Sequence, residues 1–257
     1  MKQAVTVRNV AIGEGIPKVC VPIVGRNREE ILAAAEEIKT IQADIVEWRV
    51  DWFEQVMELK QVKEMAKELR ETLTDYPILF TFRTSKEGGE RAISVADYAA
   101  LNKEMAATGY IDLLDVEVFT GNQVVSEIIE EAHRNQVFVV ASNHEFTMTP
   151  LKEEIVRRLR SMQELGADIP KIAVMPQSTG DVLELLQATD EMSTKYANGP
   201  IITMSMGAKG VISRVAGETF GSAVTFGASK KTSAPGQMGV EDLTEVLKAL
   251  HNSCREA

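Results

Sequence analysis

The sequence predicts an α/β protein, a (β/α)8 TIM barrel with a short N-terminal β-hairpin. Three observations carry that prediction. Apolar runs of strand length alternate with amphipathic helical stretches eight times within 257 residues. The linkers are short and no shift in composition divides the chain, so 1–257 reads as one domain. The polar residues with chemical potential gather at the ends of the strands. The runner-up is a doubly wound open sheet, and the first core strand is not followed by the Gly-x-Gly-x-x-Gly turn that such a sheet often carries.

Taken in order, Val5 to Val7 and Val10 to Ile12 flank Arg8-Asn9 and read as the hairpin. Lys18 to Val24 is the first core strand, followed by a helix from Glu29 to Thr40 with Ile31, Leu32, Ala35 and Ile38 on one face. Asp44 to Val50 is the second strand, and Glu54 to Leu73 a long amphipathic helix. Ile78 to Phe82 is the third strand. Ser94 then N-caps a helix from Val95 to Ala107. Strand Tyr110 to Val118, helix Gln123 to Asn135, strand Val137 to Ser142 and helix Pro150 to Leu165 follow, with Gly166 just past that helix. Lys171 to Met175 is the sixth strand, Ser178 to Tyr196 a helix, and Ile201 to Met206 the seventh strand. Gly210 to Val215 reads as a short helix, Ala223 to Phe226 as the eighth strand and Val240 to His251 as the last helix.

The net charge of -10 argues against nucleic acid and against anionic membranes, both of which need a basic face. An anionic small molecule stays open where a few arginines focus the field. Cys20 and Cys254 form neither a disulfide framework nor a zinc pattern, which fits a reducing, cytoplasmic setting. No run reaches the roughly 18 apolar residues of a membrane span.

Barrel active sites lie at the C-terminal ends of the strands. There the chain places Glu47 and Arg49, which period-two alternation puts on one face, away from Trp48. Arg83 follows the third strand, with Glu87-Gly88-Gly89 in its loop; Asp115 and Glu117 lie on the fourth. The fifth ends Ser142-Asn143-His144-Glu145, and the sixth carries Lys171. Met204 and Met206, Ser213-Arg214, Phe226 and the loop 230–239 complete the rim. Lys171 is the residue least suited to an apolar strand. By itself it reads as a strand-entrance lysine, snorkelling or paired with Asp168, or as a nucleophilic amine able to form a Schiff base with a carbonyl. His144 and Glu145 are adjacent, so their side chains diverge and make no metal pattern.

Several segments together resemble type I 3-dehydroquinate dehydratase. They are Glu47-Trp48-Arg49-Val50-Asp51, Phe82-Arg83-Thr84, Ser142-Asn143-His144-Glu145-Phe146 and 169–176 around Lys171. Further on come Thr203-Met204-Ser205-Met206-Gly207, Val211-Ile212-Ser213-Arg214 and Ser233-Ala234-Pro235-Gly236-Gln237. The resemblance covers nearly the whole chain. It implies a metal-free, cofactor-free barrel, a cytoplasmic homodimer, that dehydrates 3-dehydroquinate to 3-dehydroshikimate, the third step of the shikimate pathway toward aromatic amino acids. It also implies Lys171 as the Schiff-base lysine, His144 as general acid and base, and Glu87 as the carboxylate that tunes it. Arg83, Arg214, Ser233 and Gln237 match the substrate-binding set, mainly around the carboxylate. Glu47 and Arg49 match residues holding ring hydroxyls, and Met204, Met206 and Phe226 the apolar wall. Pro22 stands where some members have a serine, so one substrate contact is expected to be missing. Arg83 and Arg214 are expected to help keep the Lys171 amine neutral, His144 to serve as both acid and base because an unperturbed imidazole titrates near about 6.5, and 233–237 to close over substrate. Two alternatives stay open: another Schiff-base barrel of the class I aldolase kind, and a non-catalytic carboxylate-binding barrel.

Overall fold

In the computed structural model, which describes residues 3–229 and 236–255, the hairpin β1 (Val5–Val7) and β2 (Val10–Ile12) precedes a parallel sheet. Strands and helices then alternate. They are β3 (Lys18–Ile23), α1 (Arg28–Ile38), β4 (Ile45–Arg49), α2 (Leu59–Leu73), β5 (Ile78–Thr81) and α3 (Val95–Ala106). Next come β6 (Leu113–Glu117), α4 (Asn122–Arg134), β7 (Phe138–Glu145), α5 (Lys152–Glu164), β8 (Ile169–Val174) and α6 (Thr179–Glu191). The chain continues with β9 (Ile202–Ser205), α7 (Val211–Val215), α8 (Gly217–Phe220), β10 (Val224–Ala228), β11 (Met238–Gly239) and α9 (Val240–Arg255). β3 to β9 pair in sequence order, and β10 pairs with β3. The seam between β9 and β10 closes without a full ladder. A bridge joins Ile201 to Ser222, and the Thr203 N–H donates to Ser222 Oγ. The eight parallel strands β3 to β10 therefore curl into the expected barrel. No helix among the described residues is long and apolar enough to cross a membrane.

Alternation along each strand builds the interior. Cys20, Ile45, Leu79, Leu113, Val140, Ile169, Ile202 and Val224 form one apolar cluster with Val7 and Ile12 of the hairpin. The hairpin thus seals the N-terminal end of the barrel. Two residues further along the same inward faces come Glu47, Thr81, Asp115, Ser142 and Lys171, all buried. Trp48, Phe80, Leu114 and Val139 point outward and pack with Val62, Leu69 and other helix residues. Each such fully buried side chain stabilises the fold by about 1.5–3 kcal/mol. The polar layer must find its partners within itself, because nothing below it is polar.

Local differences from the expected elements have physical causes. The helix expected from Glu54 begins only at Leu59. Before it, a 3-10 turn over Val50–Trp52 buries Val50 and Asp51, and Phe53 and Val56 enter the core. β7 runs to Glu145, because Asn143, His144 and Glu145 stay paired with Ile172, Ala173 and Val174 of β8. His144 therefore sits on a strand and not in a loop. The helix after Ser178, a capping-box residue with Asp181, becomes a π-helical turn over Met192–Tyr196. α8 and β11 were not expected; β11 pairs with the last residues of β10.

Candidate active site

The cavity at the C-terminal mouth of the barrel holds about 480 Å³, mouth included. Lys171, His144, Glu87, Glu47, Arg49, Arg83, Arg214, Met204, Met206, Phe226 and Gln237 all line it, joined by Gly88, Phe146 and Ala173. Every expected site residue within the described region is thus in one place. Ser233 lies outside the described residues, as does most of the segment expected to close over substrate. Pro22 is buried on β3, two residues beyond Cys20 on the inward side.

Lys171 is 3% exposed. Its Nζ donates to Asp115 Oδ2 at 3.1 Å and stands 4.6 Å from the centre of the Phe226 ring. Asp168, the partner considered from sequence, is instead at the foot of β8. There it accepts from the Val139 N–H at 2.7 Å and contacts His133 Nε2 at 2.9 Å. Arg83 is engaged by acids: Nη2 donates to Asp115 Oδ1 at 2.7 Å, and Nη1 to Glu117 Oε1 at 2.9 Å and Ser142 Oγ at 3.0 Å. Asp115 meets Arg83 with one oxygen and Lys171 with the other. Burial pushes the Asp115 carboxyl up, but Arg83 and Lys171 outweigh it and hold it below the usual carboxylate range.

His144 is fixed by Glu87. Oε2 of Glu87 accepts from the His144 N–H and contacts Nδ1, both at 2.9 Å. An ionised Glu87 accepts a hydrogen bond from Nδ1–H, which leaves Nε2 as the ring nitrogen with a free lone pair. Burial, with Arg83, Lys171 and Arg49 nearby, holds the imidazole well below its ordinary pKa. The resting imidazole is therefore neutral. Glu87 moves the other way, raised to about 7. Burial is the largest cause, opposed by Arg83 and reinforced by Glu117. Glycines let this loop reach its post. Gly88 has φ +82°, and a Cβ on Gly89 would collide with the carbonyl oxygen of Arg83. Asn143 Nδ2 donates weakly to Glu87 Oε1 at 3.4 Å, and Arg158 Nη1 donates to Asn143 Oδ1 at 2.9 Å.

Arg49 forks onto Asp51, Nε to Oδ1 at 2.9 Å and Nη2 to Oδ2 at 2.8 Å. Glu47 accepts from Thr81 Oγ1 at 2.9 Å. Burial lowers the Arg214 guanidinium to about 10. Four residues that the sequence did not assign, Asp115, Glu117, Ser142 and Asp51, complete the buried network. Their one visible signal was inward parity on β6 and β7, plus a position two residues past Arg49 for Asp51.

The family model of type I 3-dehydroquinase matches residues 19–254. The chain belongs to this family. The 3-dehydroquinate dehydratase of Clostridioides difficile is 57% identical over 253 residues, 98% of this chain and 99% of that one. That of Listeria innocua is 59% identical over 247 residues, 96% of this chain and 98% of the relative. A crystal structure of the type I enzyme from Clostridium difficile, carrying covalently modified comenic acid, superimposes with a TM-score of 0.96 at 57% identity. It covers 98% of this chain and 100% of that one. The dehydratase structure from Enterococcus faecalis gives 0.90 at 48% identity, covering 95% and 98%. In a type I 3-dehydroquinase, the cavity at the barrel mouth is the natural place for the chemistry.

Proposed function

We propose that this chain, as one catalytic unit, dehydrates 3-dehydroquinate to 3-dehydroshikimate through a Schiff base on Lys171. The observation that carries it is a buried lysine amine sharing one cavity with a neutral, Glu87-anchored His144. Lys171 attacks the C3 ketone, and His144 relays protons as the carbinolamine loses water. The iminium acidifies C2. Nε2 of His144 takes the C2 proton, and the enamine electrons expel the C1 hydroxyl, which leaves as water with the proton returned by the imidazolium. A second water then hydrolyses the iminium and frees both product and lysine. His144 rests as a base and becomes an acid only after it has taken a proton within the cycle.

Glu47 and Arg49 suit the ring hydroxyls, and Arg214 with Gln237 suits the substrate carboxylate. Arg83, engaged by three internal acceptors, serves the network more than the ligand. Met204, Met206 and Phe226 form the apolar wall. An aldolase-like phosphate substrate fits less well, since hydroxyl-matching Glu47 and Arg49 stand beside the lysine. Incubation with 3-dehydroquinate and borohydride, followed by peptide mass analysis, tests the proposal. Reduced adduct on Lys171 is expected, and turnover without any adduct there defeats it. We further propose a cytoplasmic homodimer, in keeping with the two unpaired cysteines and with exposed Leu151 and Leu183. A monomeric mass in sedimentation equilibrium would refute the dimer.

Glu87 gives the site a pH signature. Below about 7 its carboxyl holds a proton and turns it toward Nδ1, which moves the ring proton to Nε2 and removes the base. The kcat of the wild type is therefore expected to fall as pH drops through about 7. Glu87→Gln is expected to be slower throughout and to lack that limb. Stability moves the other way. Between pH 4.5 and about 7 the native carboxyl keeps a proton that the unfolded chain has lost, so this group's contribution falls as pH rises through that window. Urea unfolding of Glu87→Gln should accordingly gain on the wild type between pH 5 and pH 8, by about 3 kcal/mol at most.

A further inference from the structure

We propose that Asp115 is the counter-ion of the covalent cycle: its carboxylate stays on the Lys171 nitrogen and keeps the iminium protonated. This rests on the Schiff-base chemistry proposed above. Asp115 is fully buried, and its two oxygens have separate duties. Oδ1 is clamped by Arg83 Nη2 at 2.7 Å and Ser142 Oγ at 2.6 Å, while Oδ2 is left for Lys171 Nζ at 3.1 Å. The clamp prevents the carboxylate from turning away when the amine is replaced by an imine. The face of Phe226, 4.6 Å from Nζ, adds a second neighbour that favours a cation at that atom. Arg83 and Lys171 overcome burial and keep the carboxyl ionised at neutral pH.

The charge balance gives this arrangement its purpose. When a lysine ammonium condenses with a ketone, a C–N bond forms and the C–O bond breaks. Two protons pass from nitrogen to the departing oxygen, which leaves as water. The product is an iminium carrying the same single positive charge and one N–H. Asp115 thus faces a cation before and after condensation, and the step itself changes no net charge in the buried site. What the carboxylate opposes is loss of that last N–H proton. A neutral imine is a weak electron sink, and proton removal from C2 would stall. In a buried site an adjacent carboxylate strongly favours the charged form, so the value of Asp115 rises with pH.

The C=N stretch of the wild-type enzyme, saturated with the equilibrium mixture of substrate and product, is read by Raman spectroscopy in H2O and D2O from pH 6 to 9. Only a protonated iminium shifts on deuteration. The wild type is expected to keep the shift to pH 9. Asp115→Asn is expected to lose it within this range. Its kcat deficit should grow from about tenfold at pH 6 to about 10³-fold at pH 9. A deficit that is flat with pH marks a merely structural role and overturns the proposal. If the asparagine variant does not fold, the wild-type spectrum decides, because an adduct without the deuterium shift below pH 9 is equally fatal. Either result leaves the Schiff base standing. Absence of any adduct on Lys171 defeats the Schiff-base chemistry itself, and the counter-ion with it.

Discussion

Replacing Lys171 with methionine is expected to lower kcat by about 10⁴–10⁶-fold and to abolish borohydride-trapped adduct. The side chain is nearly isosteric, so the cavity keeps its shape while losing the nucleophile. Without the amine there is no iminium, and the C2 proton must be removed against an ordinary ketone. The remaining groups still bind and still present a base, which leaves only a residual rate above the uncatalysed reaction. Stability changes less than rupture of a buried ion pair normally implies. Breaking such a pair by removing one partner commonly costs about 3–5 kcal/mol. Here Asp115 keeps Arg83 and Ser142, so a loss nearer the 1–3 kcal/mol of an unmade buried hydrogen bond is expected in urea titration. A variant that is folded, saturable with substrate and still turns over within tenfold of the wild type, on the order of 1.4 kcal/mol in barrier, would contradict a nucleophilic role.

His144→Ala is expected to separate adduct formation from turnover. A single acid-base residue commonly contributes about 10²–10⁴-fold. His144 acts in carbinolamine dehydration, C2 proton removal, loss of the C1 hydroxyl and hydrolysis, so a kcat loss beyond that range is expected. The Lys171 adduct should still be trapped, because water can slowly replace the relay in condensation. Its accumulation by mass, alongside failing product release, identifies the steps that need the imidazole. Near wild-type turnover would exclude the shuttle. The imidazole rests neutral, held down by burial and by Arg83, Lys171 and Arg49. The acid limb of the wild-type profile is therefore assigned to Glu87 and not to His144.

Much of this was legible in the chain. Eight alternations of strand and helix set the fold, and parity on each strand told inward from outward residues. Glu47 and Arg49 face the cavity while Trp48 packs against the helices, as alternation requires. Lys171 stood out because an apolar strand has no ordinary use for an amine. The extension of β7 through His144 was not legible. It depends on pairing with β8 and not on any local propensity. The turn before α2 was missed for a related reason, since Asp51 is buried there as the acceptor for Arg49, a side-chain contact that no local pattern encodes.

The amino-acid sequence by itself determined which chemical groups the site contains and which ends of which strands carry them. Tertiary structure decided which groups touch. Lys171 meets Asp115 across 56 residues of chain, and Glu87 meets His144 across 57. Such pairs are set by the register of neighbouring strands and the curl of the barrel, which no local pattern encodes. Ionisation follows from those contacts. In a buried site, charge depends on separations of about 3 Å and on the loss of water, and both exist only once the strands have closed.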